Sequence, residues 1–285
     1  MIAAVLSVAA SLDGIKNFRA VGGLPGIYRS AALEQATAAD AAYILDKAKI
    51  RTIIDLRNDD EVQKAAQDAT DFGRRLLEEF DECSLVGAGC VASEGSGCLT
   101  RVQVPILEDV EAFYAEVAQR LPPARKAQAK LLQLTNARAY DQLLYDEVTR
   151  QRHPMLNTVM LKTSKRWGEA LSLAADRSGG AVLFHCAQGK DRTGVLAALL
   201  QHAASCDESR IVDEYAISGR LLGHDTEEPP PRQSTEGVDW SVMRGSPPEA
   251  MVETLAWIRN EFGAIDLFLE GVGCGEDWRR TLLRK

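Results

Sequence analysis

The chain has 285 residues, 46% of them hydrophobic and 26% charged, enough to bury one large core or two small ones. Its formal net charge of −8 at pH 7 excludes a broad cationic surface, and with it nucleic acid as a partner and general attraction to anionic membranes. Any grip on a phosphate group must be built locally.

Met1 to Ala10 is apolar, lacks a positively charged flank and is too short to span a bilayer. No integral membrane segment is expected, and the cytoplasm is the expected compartment. Residues 13–30 read as an irregular or strand-like entry with glycine and proline turns. Ala41, Ile44, Leu45 and Ala48 recur at helical spacing, which predicts a helix over Ala38 to Lys47. Arg51 to Leu56 reads as a buried strand. Asp55 and Arg57 at its end either face a pocket or close a salt bridge. Cys83, Cys90 and Cys98 lie in a glycine-rich stretch without C-x-x-C spacing or a nearby histidine. They read as free thiols, so no metal site is expected.

Arg101 to Ile106 is strand-like. Asp109 to Leu121 reads as a helix stopped by Pro122-Pro123, and Ala124 to Val148 as one long helix or a helix pair. Leu156 to Asp176 is amphipathic, with Val159, Met160, Thr163, Trp167, Ala170, Leu171 and Ala174 on one face. Trp167 therefore reads as core. Ala181 to Phe184 is a short apolar run with the look of a buried strand, and Val195 to Leu200 continues as a helix. Asp207 to Leu221 is a further helix and residues 223–248 a loop. Pro248 opens a helix through Phe262, and two short helices finish the chain. The sum is one α/β domain over residues 1–285, a central mixed sheet flanked by helices with a helical insertion at about 109–150.

Between that last strand and its helix lies His185-Cys186-Ala187-Gln188-Gly189-Lys190-Asp191-Arg192-Thr193-Gly194. A loop of this kind, ending in a helix N-terminus, turns successive backbone N–H groups inward as an anion cradle. Gly189 allows the tight turn. Arg192 can grip two phosphoryl oxygens with its planar fork. Thr193 offers a hydroxyl to the sulfur, and His185 holds the loop by hydrogen bonds. Helix N-termini and nearby cations bring thiol pKa values to about 3.5–7.5, which predicts a thiolate nucleophile at Cys186. Cys274 and Arg280 share the Cys186–Arg192 spacing, but Glu276 and Asp277 between them would repel phosphate, and no apolar strand precedes them. A nucleotide-binding loop is excluded, because Asp191 follows Gly189-Lys190 and Phe184 stands where the first glycine belongs.

The loop resembles that of the cysteine-dependent tyrosine phosphatase superfamily, in the atypical lipid-phosphatase-like branch that includes mycobacterial protein tyrosine phosphatase B and fungal relatives. Lys190 and Asp191 inside the loop carry the match to that branch. Asn17-Phe18-Arg19-Ala20-Val21-Gly22-Gly23, Gly26-Ile27-Tyr28-Arg29-Ser30 and Thr52-Ile53-Ile54-Asp55-Leu56-Arg57 extend it. The resemblance implies a tyrosine-phosphatase-like fold and a two-step reaction without a cofactor. Cys186 attacks phosphorus, Arg192 and the N–H cradle stabilise the equatorial oxygens, and a general acid protonates the leaving oxygen. Asp191 is the acid implied by the branch, with Asp109 the alternative on a separate loop. Ala187, Gln188, Gly189, Lys190, Thr193 and His185 form the substrate-binding set. Protein phosphotyrosine is the leading substrate; the alternative is a phosphoinositide phosphatase, which Lys190 suggests, or a dual-specificity phosphatase. An inactive phosphate-binding module and a rhodanese-like sulfur transferase stay open as other classes. The helical insertion is either a lid or a permanent part of the core.

Overall fold

The computed structural model describes residues 12–77, 99–224 and 237–284. Five strands form one mixed sheet in the order β1-β2-β5-β3-β4: β1 Arg19–Ala20, β2 Ile27–Ser30, β3 Ile50–Asp55, β4 Thr100–Gln103 and β5 Ala181–His185. β1 runs antiparallel to β2, and the other neighbouring pairs are parallel. β5 lies at the centre and is buried along its whole length, which is why it reads as an unbroken apolar run. Its side chains alternate between faces. Val182 and Phe184 enter the larger hydrophobic cluster, Ala181 and Leu183 the smaller. Full burial of a side chain such as Phe184 or Leu183 stabilises the fold by about 1.5–3 kcal/mol.

The smaller cluster is closed by Ile15, Phe18, Leu33 and, from the turn that follows α1 (Ala38–Ala42), Ile44 and Ala48. α1 opens with a reciprocal cap between Thr37 and Asp40 and runs on into a π-helical turn over Tyr43–Lys47, so the predicted helix contains two winding types. Two helices that periodicity did not announce follow β3: α2, Asp59–Ala66, and α3, Asp71–Leu77.

The larger cluster is covered by α4 Val110–Arg120, α6 Ala137–Thr163, α7 Trp167–Ala175, α8 Asp191–Ala203, α9 Glu208–Leu221, α10 Pro248–Phe262 and α11 Ile265–Gly271. α5, Pro123–Thr135, is half-buried to exposed apart from Ala129 and is tied to α6 by Arg125 pairing with Glu147 at 2.6 Å. α12, Glu276–Leu283, ends the chain. Pro248 and Phe262 bound their helix as expected.

Two features of the long helical stretch differ from the expectation. α6 runs through the gap expected after Val148, but it is broken at Arg152, whose backbone sits at φ 57°, ψ −142°. Pro154 lacks an N–H and disfavours helical geometry in the residue before it, which makes this the weak point. The helix expected over Leu156 to Asp176 is interrupted after Thr163. Ser164 Oγ accepts a hydrogen bond from the Arg166 N–H at 3.2 Å, a local turn that competes with the helix ladder. The apolar face was nonetheless legible: Trp167 is fully buried and donates its indole N–H to Met160 O at 3.0 Å. The readings of Met1 to Ala10, of Cys83, Cys90 and Cys98, and of residues 225–236 lie outside the described residues.

Candidate active site

The carboxyl ends of four strands meet in one row. Ser30 of β2 pairs with His185 of β5, His185 with Asp55 of β3, and Asp55 with Gln103 of β4. Cys186 is the first residue beyond that row, and the loop it opens ends at Lys190, the cap of α8. Ligands of parallel sheets collect at this edge.

The loop is held from outside by its carbonyls. Cys186 O lies 3.3 Å from His185 Nδ1. Ala187 O accepts from the Ala32 N–H at 3.0 Å. Gln188 O accepts from Asn17 Nδ2 at 3.0 Å, and Gly189 O from Asn17 Nδ2 at 2.9 Å and Arg29 Nη2 at 2.7 Å. In a trans peptide each C=O points opposite to the next N–H. Four outward carbonyls therefore turn the amides of Ala187, Gln188, Gly189 and Lys190 to the inner side. Gly189 takes φ +66°, and a Cβ there would lie 2.0 Å from Ser30 O. Only glycine fits both the conformation and the approach.

The clamps are themselves braced. Arg19 donates from Nε to Glu214 Oε1 at 2.8 Å, and Arg29 from Nη1 to Glu214 Oε2 at 2.6 Å. Arg19 also donates to the Asn17 side-chain oxygen, fixing the amide that clamps the loop. Burial raises the Glu214 pKa, but Arg29 and Arg19 more than offset it and hold the carboxyl below its ordinary value. Burial and the neighbouring Arg29 bring Arg19 down to about 10. The Asn17–Ser30 stretch, legible only as a family resemblance, is thus the outer scaffold of the loop.

Arg192 folds back beside the loop and is 9% exposed. Its Nη1 and Nη2 donate to Glu61 Oε2 and Oε1 at 2.6 and 2.7 Å, and Nη1 also reaches Leu56 O at 3.3 Å. Burial opposes its charge, but Glu61, Cys186 and Asp191 favour the charged form and raise the pKa above its usual value. With Glu61 on the Nη1/Nη2 edge, the Nε/Nη2 edge is the one that can turn to a phosphate. Sequence reasoning missed Glu61. Its signal was the Asn58-x-x-Glu61 pattern of a helix start: Glu61 Oε2 accepts the Asn58 N–H at 3.1 Å.

Cys186 is 3% exposed. Thr193, expected on the sulfur, is buried, and its hydroxyl has no hydrogen-bond partner among the described residues. His185 is fully buried, its Nε2 3.7 Å from Asp55 Oδ2. Burial lowers its pKa, so it is a neutral strut at the strand end. Asp55 and Arg57 prove to be a salt bridge closed beneath the row: Arg57 Nη2 meets Asp55 Oδ2 at 2.7 Å and Nη1 meets Glu34 Oε1 at 2.6 Å. Burial works to raise the Asp55 pKa, yet His185, Arg57 and Arg101 hold it far below the usual carboxylate range.

Lys190, expected in the substrate-binding set, is 1% exposed. Its ammonium donates to Met243 O at 2.6 Å and to His153 Nε2 at 2.8 Å, and lies 3.3 Å from Asp191 Oδ1. His153 comes from the break in α6, and Met243 from a 3-10 turn, Trp240–Met243. Neither was singled out from sequence. Asp191 opens α8 with its side chain 19% exposed. Asp109 stands elsewhere, as the cap of α4, with Oδ1 accepting the Ala112 N–H at 2.7 Å. Cys274 is buried, and burial pushes its thiol up to about 11, which suits a core cysteine.

Inward amides, a buried cysteine, a guanidinium locked by Glu61 and a carboxyl at the opening of α8 thus lie on one loop at the carboxyl edge of an α/β sheet. The model of the tyrosine phosphatase family matches residues 10–285, and the chain belongs to that family. It is also similar to a tyrosine-protein phosphatase of Nostoc commune, 32% identical over 115 residues. That match covers 36% of this chain and 37% of the length of the relative. Among the described residues, no helix is long and apolar enough to cross a membrane.

Proposed function

We propose that this protein hydrolyses phosphomonoesters through a phosphocysteine at Cys186. The observation that carries the reading is the set of four loop carbonyls tied outward, which turns four successive amides to the inner side of the loop that Cys186 opens. Donors fixed before the reaction need no reorganisation as charge develops on the phosphoryl oxygens. The Cys186 sulfur attacks phosphorus, the ester bond to the leaving oxygen breaks, and Asp191 gives that oxygen its proton. The Asp191 carboxylate then takes a proton from the water that cleaves the sulfur–phosphorus bond, which restores thiolate and acid. Amides and Arg192 supply the positive charge, so no cofactor is required.

Protein phosphotyrosine is the substrate this reading favours. Cys186 is buried, and a phosphate on a long flat stem reaches such a sulfur better than one on a short stem. Lys190, the residue that suggested phosphoinositides, is engaged with protein partners and 1% exposed. Asp191 is preferred to Asp109 because it stands beside the loop, whereas Asp109 caps a helix.

The test is a rapid acid quench during turnover of p-nitrophenyl phosphate, followed by peptide mass spectrometry. Phosphate is expected on Cys186, and Cys186→Ser should lose turnover while still binding inorganic phosphate. Turnover by Cys186→Ser, or phosphate on another residue, overturns the mechanism. A panel of phosphotyrosine peptides, phosphoserine peptides and soluble inositol phospholipids tests the substrate class.

A further inference from the structure

His153 reaches the loop only because α6 breaks one residue earlier. Arg152 holds φ 57°, ψ −142°, a region that a residue with a side chain occupies at a cost of about 1–3 kcal/mol. Such strain persists where the surroundings over-determine it, and it points to a role for what it delivers. The neighbouring contacts fix the place. Asp239 N–H donates to Thr149 Oγ1 at 3.1 Å, docking the 3-10 turn on α6, and that turn offers Met243 O to the Lys190 ammonium and sets it 3.0 Å from His153 Nε2.

We propose that His153 is a positioning residue for the general acid: together with Met243 O it holds the Lys190 ammonium at 3.3 Å from the Asp191 carboxyl, short of a close ion pair. The inference rests on the assignment of Asp191 as the acid. The distances carry it. Lys190 Nζ makes its short contacts to Met243 O, 2.6 Å, and His153 Nε2, 2.8 Å, and is left 3.3 Å from either Asp191 oxygen. An ammonium that closed on the carboxyl would favour its ionised form, which has no proton to give. To accept from Lys190, Nε2 must be unprotonated. Burial first, and then Lys190 and Arg152, favour the neutral imidazole and outweigh the opposing pull of Asp191 and of Met243 O, 3.0 Å from Nε2. Charged or titratable groups facing Asp191 are Lys190 and Arg192 on its own segment, His153 from α6 and Tyr215 from α9.

The test compares kcat/KM, which reports formation of the phosphocysteine, for phosphotyrosine and for p-nitrophenyl phosphate, whose leaving group needs little protonation. His153→Ala should lower the value for phosphotyrosine by about tenfold or more, within the range of acid catalysis, and leave p-nitrophenyl phosphate within about threefold. His153→Gln, with a side-chain oxygen to accept from Lys190, should restore most of the loss. In a Lys190→Met background, His153→Ala should no longer separate the two substrates. Equal losses for both substrates, or the same separation without Lys190, would make His153 merely structural and overturn the proposal. Asp191→Asn in the same assay distinguishes the two levels. If it fails to separate the substrates, the acid assignment itself falls, and the role of His153 with it. If it separates them and His153→Ala does not, only the inference about His153 falls.

Discussion

Replacing Gly189 with alanine tests whether the cradle is as rigid as its clamps imply. The residue sits at φ +66°, where an L side chain costs about 1–2 kcal/mol. The new Cβ would lie 2.0 Å from Ser30 O and 2.6 Å from Ala31 N. Both are backbone atoms without freedom to yield. Ser30 is paired with His185 in the sheet, and Ala31 N–H is bonded to Lys16 O at 2.9 Å. Relief of that overlap adds about 1–3 kcal/mol. The sum, about 2–5 kcal/mol, is a large part of the roughly 5–15 kcal/mol that holds a domain together. The loop must also retreat by about 1 Å, and a misplacement of that size costs on the order of 10²-fold in rate. Urea unfolding measures the first effect and kcat/KM for p-nitrophenyl phosphate the second. Gly179→Ala is the control, because its Cβ would meet nothing within 4 Å. It should stay within about 0.5 kcal/mol of the parent. A Gly189→Ala protein equally stable and within about threefold of parental activity would refute a rigid cradle.

Three further outcomes follow from the same geometry. Glu61→Gln removes the carboxylate that locks Arg192. Because Glu61 is about one-third exposed, the stability cost should be about 1 kcal/mol or less, while kcat/KM falls about tenfold to hundredfold as the guanidinium loses its fixed edge; urea unfolding and steady-state kinetics separate the two. Asn17→Ala removes both side-chain bonds to Gln188 O and Gly189 O, so inorganic phosphate should bind more weakly, by about tenfold for 1.4 kcal/mol of lost preorganisation, measured by competition. Stability should fall with acid in two stages. The folded-state pKa values of His153 and His185 lie below the ordinary histidine value, so the unfolded chain binds more protons and stability declines as pH drops below about 6.5. Asp55, Glu61 and Glu214 are depressed below their ordinary values, so their contribution is full above about pH 5 and is lost as pH falls through about 4 and below. Denaturant titrations at pH 8, 6.5, 5 and 4 check this; a curve that is flat from pH 7 to 5 would contradict the first stage.

The parts of the site that lie along one stretch of chain were legible in the sequence. An apolar run, a cysteine loop with a glycine turn and a helix opening at Asp191 are local facts, and the sheet, its order aside, followed from such runs. What escaped was set by distance in the chain. Glu61 finds Arg192 across 131 residues, and Asn17 finds Gly189 across 172. No periodicity couples such pairs. α2 carries no buried residue, so it shows no apolar face to read, and only its capping pattern announced it. His153 was hidden differently. His-Pro inside a helical run is a signal for a break, but where a break aims a side chain depends on the turn that docks against it. Lys190 shows the converse limit. Its position in the loop was plain, but its burial under His153 and Met243 was not.

The most direct measurement is a structure of the protein soaked with vanadate or tungstate. The oxyanion should sit on the amides of Ala187 to Lys190, directly above Cys186 Sγ, with Arg192 turning its Nε/Nη2 edge toward it while Glu61 keeps the other edge. An oxyanion bound away from those amides, or amides found turned toward Asn17 and Arg29, would contradict the account.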